Sequence, residues 1–137
     1  RRVSVCHDAP KVIRSSRDVS TYLDDMRALP VERMRVVLLD ARNRIMGHAD
    51  VAMGGVSECH VSPADVLRPC IVQAACAFIV AHNHPSGETA PRDAANALTE
   101  RLLKAAAIVG LQMLDHIIIG EPGYFSYLDA GLLKVRS

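Results

Sequence analysis

The 137 residues predict an α+β fold, a mixed and mostly antiparallel sheet with helices on its faces. Three observations carry this expectation. RMRVVLLD (33–40) and RIMGHADVAM (44–53) flank the turn residues ARN and read as two antiparallel strands. AFIVA (77–81) is a short unbroken apolar run, the pattern of a central strand covered on both faces. Beyond a loop containing Pro85, Gly87 and Pro91, the apolar residues Ala95, Leu98, Leu102, Ala105 and Val109 recur at helical spacing.

The elements follow in order. KVIRS (11–15) reads as a short strand, and Ser16 then precedes a helix whose Val19, Tyr22, Leu23 and Met26 share one face until Pro30 stops it. After the hairpin, SPADVLRPCIVQAACA (62–77) opens a helix with Ser62 as N-cap, Pro63 at the first helical position and Asp65 three residues on. Pro69 removes a backbone donor and crowds the carbonyl four residues earlier, which predicts a kink. AFIVA delivers residues 82–84 at its C-terminal end, the helix through Ala95 ends at Gly110, LQMLDHIII is the next strand, GEPG a turn and YFSYL a last short strand. The sum is a sheet of about five or six strands, the size common in one domain, so the whole of 1–137 reads as a single domain.

Composition excludes several classes of function. The chain is 50% hydrophobic and 23% charged, as ordinary globular domains are. No stretch reaches the roughly 18 apolar residues of a membrane span, and the N-terminus lacks a signal-peptide core. A cytoplasmic protein without a membrane partner is expected. Cys6, Cys59, Cys70 and Cys76 form no CxxC pair, so reduced thiols are expected, with Cys70 and Cys76 acting as small buried hydrophobes. A net charge of +1 and 4% aromatics provide neither a phosphate track nor a stacking platform, so no nucleic-acid partner is indicated. Arg33, Arg35, Arg42 and Arg44 read as solvated strand and turn positions. No P-loop, Rossmann fingerprint or GxSxG elbow is present, and Ser86 is not read as a nucleophile.

The chemistry concentrates in AHNHPSG. Alternate strand residues point to one face, so His82 and His84 aim both imidazoles at one point while Asn83 faces away. A zinc site takes imidazole nitrogens at about 2.0–2.1 Å, and a catalytic one needs three protein ligands and a water position. Two histidines supply half of that shell. The plainer alternative is a pair of strand-end histidines bonded to the following loop. Elsewhere, His116 reads as a core histidine satisfied by Asp115 or a carbonyl, with a smaller case for orienting a ligand histidine. His48 and His60 read as exposed, and His7 beside Cys6 and Asp8 as part of a frayed terminus.

AHNHPSG, LTERL, LDHIIIG and YFSYLDAGLL, together with RVVLLDARNR and GGVSECHVSPADV, resemble the RadC-like family of JAMM (MPN-type) metalloprotease domains over about residues 31–133. The resemblance implies a JAB/MPN-like fold of cytidine-deaminase-like architecture, its sheet curled around a metal site and flanked by helices. It also implies a zinc-dependent hydrolase of peptide or isopeptide bonds, with zinc as cofactor and a peptide or protein as substrate. Oligomeric state stays open, a homodimer included. The family's historical label as DNA-repair proteins finds no support in charge or aromatic content.

In that family a glutamate near the first hairpin strand is the general base, HxH gives two zinc ligands, and a downstream SxxD gives a serine and the third ligand. Glu32, in VERMRV, matches the glutamate. Counted without gaps from His84, however, the serine falls on Arg92 and the aspartate on Ala95. Two expectations follow. In one, a shortened loop lets APRD stand in for SxxD, with Ala90 at the serine's place and Asp93 as third ligand. In the other the site is degenerate, Arg92 adds a repelling charge, and the domain is a catalytically inactive binding or scaffold module. Glu88 or a cysteine completing the shell is a further option that no spacing favours.

Overall fold

The computed structural model describes residues 3–5, 12–54 and 61–133. Cys6, His7, Asp8, Cys59 and His60 lie outside the described residues.

The alternating and apolar runs form one six-stranded sheet: β1 (Ser4–Val5), β2 (Arg33–Leu39), β3 (Ile45–Met53), β4 (Ala77–Asn83), β5 (Gln112–Ile119) and β6 (Tyr124–Ser126), in spatial order β1-β3-β2-β4-β5-β6. Every neighbouring pair is antiparallel except β4 and β5. A parallel pair needs a long crossover, and the helix α3 (Asp93–Val109) supplies it. The other helices are α1 (Ser16–Tyr22), followed by a 3-10 turn (Asp24–Ala28), and α2 (Pro63–Val72). The expected α+β class and the expected helices hold.

The sheet is covered on both faces. Met34, Val36, Leu38, Phe78 and Val80 join Leu67, Leu98 and Leu102 in a core under α2 and α3. Val37, Leu39, Ile79, Ala81, Ile117 and Ile119 join Val19, Leu23 and Met26 in a second core under α1. Each residue of β4 is buried, as an unbroken apolar strand requires, and its residues alternate between the two cores. At its end, Met34 and Ile118 flank His82 in the neighbouring strands.

Some details differ from the sequence reading. Lys11 of KVIRS lies outside the described residues, and the rest of the segment contributes an isolated bridge between Val12 and Arg44 and an Ile13 amide donating to the Asn43 carbonyl instead of a strand. The inner stripe of α3 runs through Ala95, Leu98, Thr99, Leu102 and Ala106, while Ala105 is partly buried and Val109 half exposed. α2 stops at Val72, which leaves Cys76 exposed while Cys70 is buried as expected. The Cys70 thiol is pushed up to about 12 by burial and stays protonated and unreactive. His48 is half buried, its Nδ1 2.6 Å from the Tyr22 hydroxyl. Arg35 is buried and paired with Asp50 at 2.7 Å and Asp25 at 2.9 Å; its partner in the strand register is Asp50, so the charge goes inward with a counter-charge already opposite.

Candidate metal centre

Strand alternation carries His82 and His84 to the same side of the sheet, as Phe78 and Val80 before them. Both rings are buried, His82 at 1% exposure and His84 at 4%. Their Nε2 atoms stand 3.2 Å apart. A carboxylate oxygen of Glu32 lies 3.7 Å from His84 Nε2 and 4.0 Å from His82 Nε2. Among the described residues, Glu32, His82 and His84 are the group whose ligand atoms converge closely enough to share a metal ion.

Glu32 precedes β2 and its position is held through its backbone. Asn83, between the two histidines and turned to the opposite side, accepts from the Arg33 amide at 2.7 Å and donates to the Val31 carbonyl at 3.2 Å. The Gly54 amide donates to the Glu32 carbonyl at 2.8 Å. One strand end thus presents two imidazoles on one face and clamps both neighbours of the carboxylate on the other.

His84 Nδ1 lies 2.8 Å from the Glu88 carbonyl and His82 Nδ1 lies 2.9 Å from His116 Nε2. His116 is fully buried, stacks on Tyr127 at 4.6 Å between ring centres, and sets Nδ1 2.6 Å from the Thr99 hydroxyl. The ring partners of His116 are therefore Thr99 and His82, and Asp115 binds only its backbone amide. Burial pushes His116 down to about 3, with the neighbouring His84 adding to the shift. Burial likewise holds His82 well below the ordinary imidazole range, reinforced by His116, His84 and Arg92. Both rings are neutral at pH 7, the form in which imidazole binds metals.

The positions singled out on α3 divide sharply. Ala95 is 2% exposed and lies on the inward line with Leu98 and Leu102, one turn before Thr99, so the place matched to the family's aspartate holds a methyl group. Asp93 is the first residue of the helix, is exposed, and does not join the converging group. Its offset from Ala95 explains this: two residues along a helix of about 3.6 residues per turn is roughly 200° of rotation. Arg92 is the N-cap residue, exposed, where the family's serine would stand.

The donor set fits a small divalent cation. A triangle with edges of 3.2, 3.7 and 4.0 Å has a circumscribed radius of about 2.1 Å, which is the zinc–nitrogen and zinc–oxygen bond length. Two imidazoles and a carboxylate are also donors that zinc accepts readily.

The RadC-like JAB domain pattern matches residues 13–132. A UPF0758 protein of Moorella thermoacetica is 37% identical over 134 residues, covering 97% of this chain and 58% of that protein. One of Clostridioides difficile is 41% identical over 108 residues, covering 79% and 46%, and one of Rubrobacter xylanophilus is 38% identical over 135 residues, covering 97% and 59%. The chain spans about half the length of these relatives. No helix among the described residues is long and apolar enough to cross a membrane.

Proposed function

The chain belongs to the RadC-like JAB domain family, and on that premise we propose that it binds a divalent cation, zinc first, through His82, His84 and Glu32, as a module whose hydrolytic centre is one group short. The observation that carries the reading is the triangle of ligand atoms, sized for bonds of about 2.1 Å, beside a buried Ala95 where a third ligand would come from α3. A bound zinc ion would supply Lewis acidity and an acidified water.

Hydrolysis of a peptide or isopeptide bond asks this chain for four groups, three to hold the ion and one to take a proton from water. Three converge. If Glu32 holds the ion, no other described residue of the converging group is left to accept the proton. If Glu32 accepts it, two imidazoles hold the ion alone. Asp93 is exposed at the start of α3 and outside the converging group, and Arg92 places a positive charge near His82. The working surface of such a module is then one that binds a peptide or protein without cutting it.

A second reading, a working zinc-dependent hydrolase with Glu32 as base, is favoured by one observation: the Glu32 side chain is only 11% exposed and is anchored by the Asn83 clamp, as a proton acceptor must be. One experiment separates the two. Protein purified without chelator is assayed for zinc and for cleavage of fluorogenic peptide and isopeptide-linked substrates, alongside His84→Ala and Glu32→Gln. The binding-module reading expects about one zinc per chain, lost in His84→Ala, with no cleavage above the metal-free background. Zinc-dependent cleavage abolished by both substitutions would establish the hydrolase. Wild-type protein without zinc affinity would overturn both.

A further inference from the structure

His82 engages both of its ring nitrogens, and the second leads away from the metal centre. The line runs from His82 Nδ1 to His116 Nε2 (2.9 Å), from His116 Nδ1 to Thr99 Oγ1 (2.6 Å), and from Thr99 Oγ1 to the Ala95 carbonyl (2.8 Å). All of these side chains are buried. At the other ring, His84 Nδ1 faces the Glu88 carbonyl. A carbonyl only accepts, so this nitrogen carries the hydrogen, and in the neutral ring, the form that binds a metal, His84 Nε2 is bare.

The remaining freedom is the Thr99 hydroxyl, which reaches His116 Nδ1 at 2.6 Å and the Ala95 carbonyl at 2.8 Å, while the Tyr127 hydroxyl, a further side-chain partner of Thr99, gives its own hydrogen to Asn96. Turned to His116 Nδ1, it leaves the His116 hydrogen on Nε2, donating to His82 Nδ1. His82 then carries its own hydrogen on Nε2 and donates it to the bare nitrogen of His84, 3.2 Å away. Turned to the Ala95 carbonyl, Thr99 instead accepts from His116 Nδ1–H. His82 then donates from Nδ1 to His116, and its Nε2 is bare. In this second arrangement two lone pairs face each other at 3.2 Å, which is favourable only with a cation between them. Thr99 and the three histidines carry the same number of hydrogens in both, so no net proton is gained or lost.

Resting on the metal-binding reading above, we propose that Thr99 and His116 are positioning residues forming a reversible relay, which caps His82 Nε2 with hydrogen in the metal-free protein and bares it when a cation occupies the site. A hydrogen-bond partner on the far nitrogen of a ligand histidine ordinarily sets its tautomer and strengthens metal binding about 10- to 100-fold. Here that partner can face either way, and the helix that lacks the aspartate provides the end point.

The test is tautomer assignment by two-bond 1H–15N correlation spectra of 15N-labelled protein, first with EDTA and then with zinc. The expected result is His82 and His116 both protonated on Nε2 without metal and both on Nδ1 with zinc, while His84 keeps its Nδ1 hydrogen throughout. In chelator competition, Thr99→Val and His116→Leu should weaken zinc binding by about tenfold or more, and Thr99→Ser and His116→Gln, which keep a hydroxyl and an amide acceptor, should restore most of it. Unchanged tautomers on zinc addition, or wild-type zinc affinity in Thr99→Val and His116→Leu, would overturn the relay while leaving the metal site intact. A metal-free spectrum with His82 already protonated on Nδ1 would overturn it too, whatever the zinc result. Failure of the wild type to bind zinc, with the metal-free tautomers as expected, would instead remove the functional reading and confine the relay to its metal-free direction.

Discussion

Two neutral imidazoles, His82 in the metal centre and His116 buried behind it, should make the metal-free fold sensitive to mild acid. His116 has an ordinary value of 6.5 when exposed by unfolding and about 3 when folded, because burial disfavours its charged form. The folded pKa is the depressed one, so the unfolded chain binds the extra proton. Stability is then fully present above pH 6.5 and is lost as pH falls toward about 3. At about 1.4 kcal/mol per pH unit, lowering the pH from 7.5 to 5.0 should cost about 2 kcal/mol through His116 alone. His82, shifted in the same direction by burial, adds to that loss. Asp115 works the other way, because burial raises its pKa and the folded state then takes up the proton more readily.

Urea unfolding of EDTA-treated protein at the two pH values measures the drop, and His116→Gln isolates the share of His116. The substitution should reduce the drop by about 2 kcal/mol, since it removes one of the protons that only the unfolded chain binds. An identical drop in wild type and variant would mean that His116 titrates normally in the folded protein, and the picture of a dry, neutral histidine pair would be wrong.

Restoring the missing group makes a prediction of the opposite sense for metal. Ala95→Asp buries an unpaired carboxylate at a 2%-exposed site and should destabilise the EDTA-treated protein by about 3 kcal/mol in urea unfolding. The same variant should bind zinc at least about tenfold more tightly in chelator competition and should free Glu32 for proton transfer, seen as new peptide cleavage. Asn83→Ala leaves the Arg33 amide and the Val31 carbonyl without their partner; stability should fall by about 1–3 kcal/mol and zinc affinity about tenfold, read by thermal unfolding and by chelator competition. Gly120→Ala drives a methyl into the Gly87 carbonyl and the Thr89 side chain. The loop carrying Glu88 must then shift, so the variant should lose about 1–3 kcal/mol and bind zinc more weakly, while Gly123→Ala, which meets nothing within 4 Å, should match wild type in both assays.

Sequence patterns that depend on a single element were legible, and those that depend on two were not. The burial of β4 and the shared face of His82 and His84 follow from period-2 alternation within one strand. The inward place of Ala95 follows from helical period within α3. Glu32 was visible only through resemblance to a family, because nothing local distinguishes it from any glutamate before a strand. The Asn83 clamp stayed hidden because its partners lie about fifty residues earlier in the chain. His116 was legible as buried, but not its partners: Val80 is its register neighbour across the parallel pair, and Thr99 comes from the crossover helix. Arg35 was misread for the same reason, since Asp50 and Asp25 reach it from another strand and from the turn after α1.

The division of labour among elements explains how a metal grip can outlast the chemistry. The three converging ligand atoms come from β4 and the start of β2, and the Asn83 clamp ties those two segments together without help from α3. The aspartate that would complete a hydrolytic shell has to come from α3, where Ala95 now stands. A substitution there subtracts one ligand and leaves the distances among the other three untouched. The α3 helix still meets the centre, one turn later, through Thr99 and His116, so its packing against the back of His82 remains useful after its ligand is gone. On the proposed reading, a chain with Ala95 in this place would give up hydrolysis before metal affinity and persist as a folded, metal-holding module.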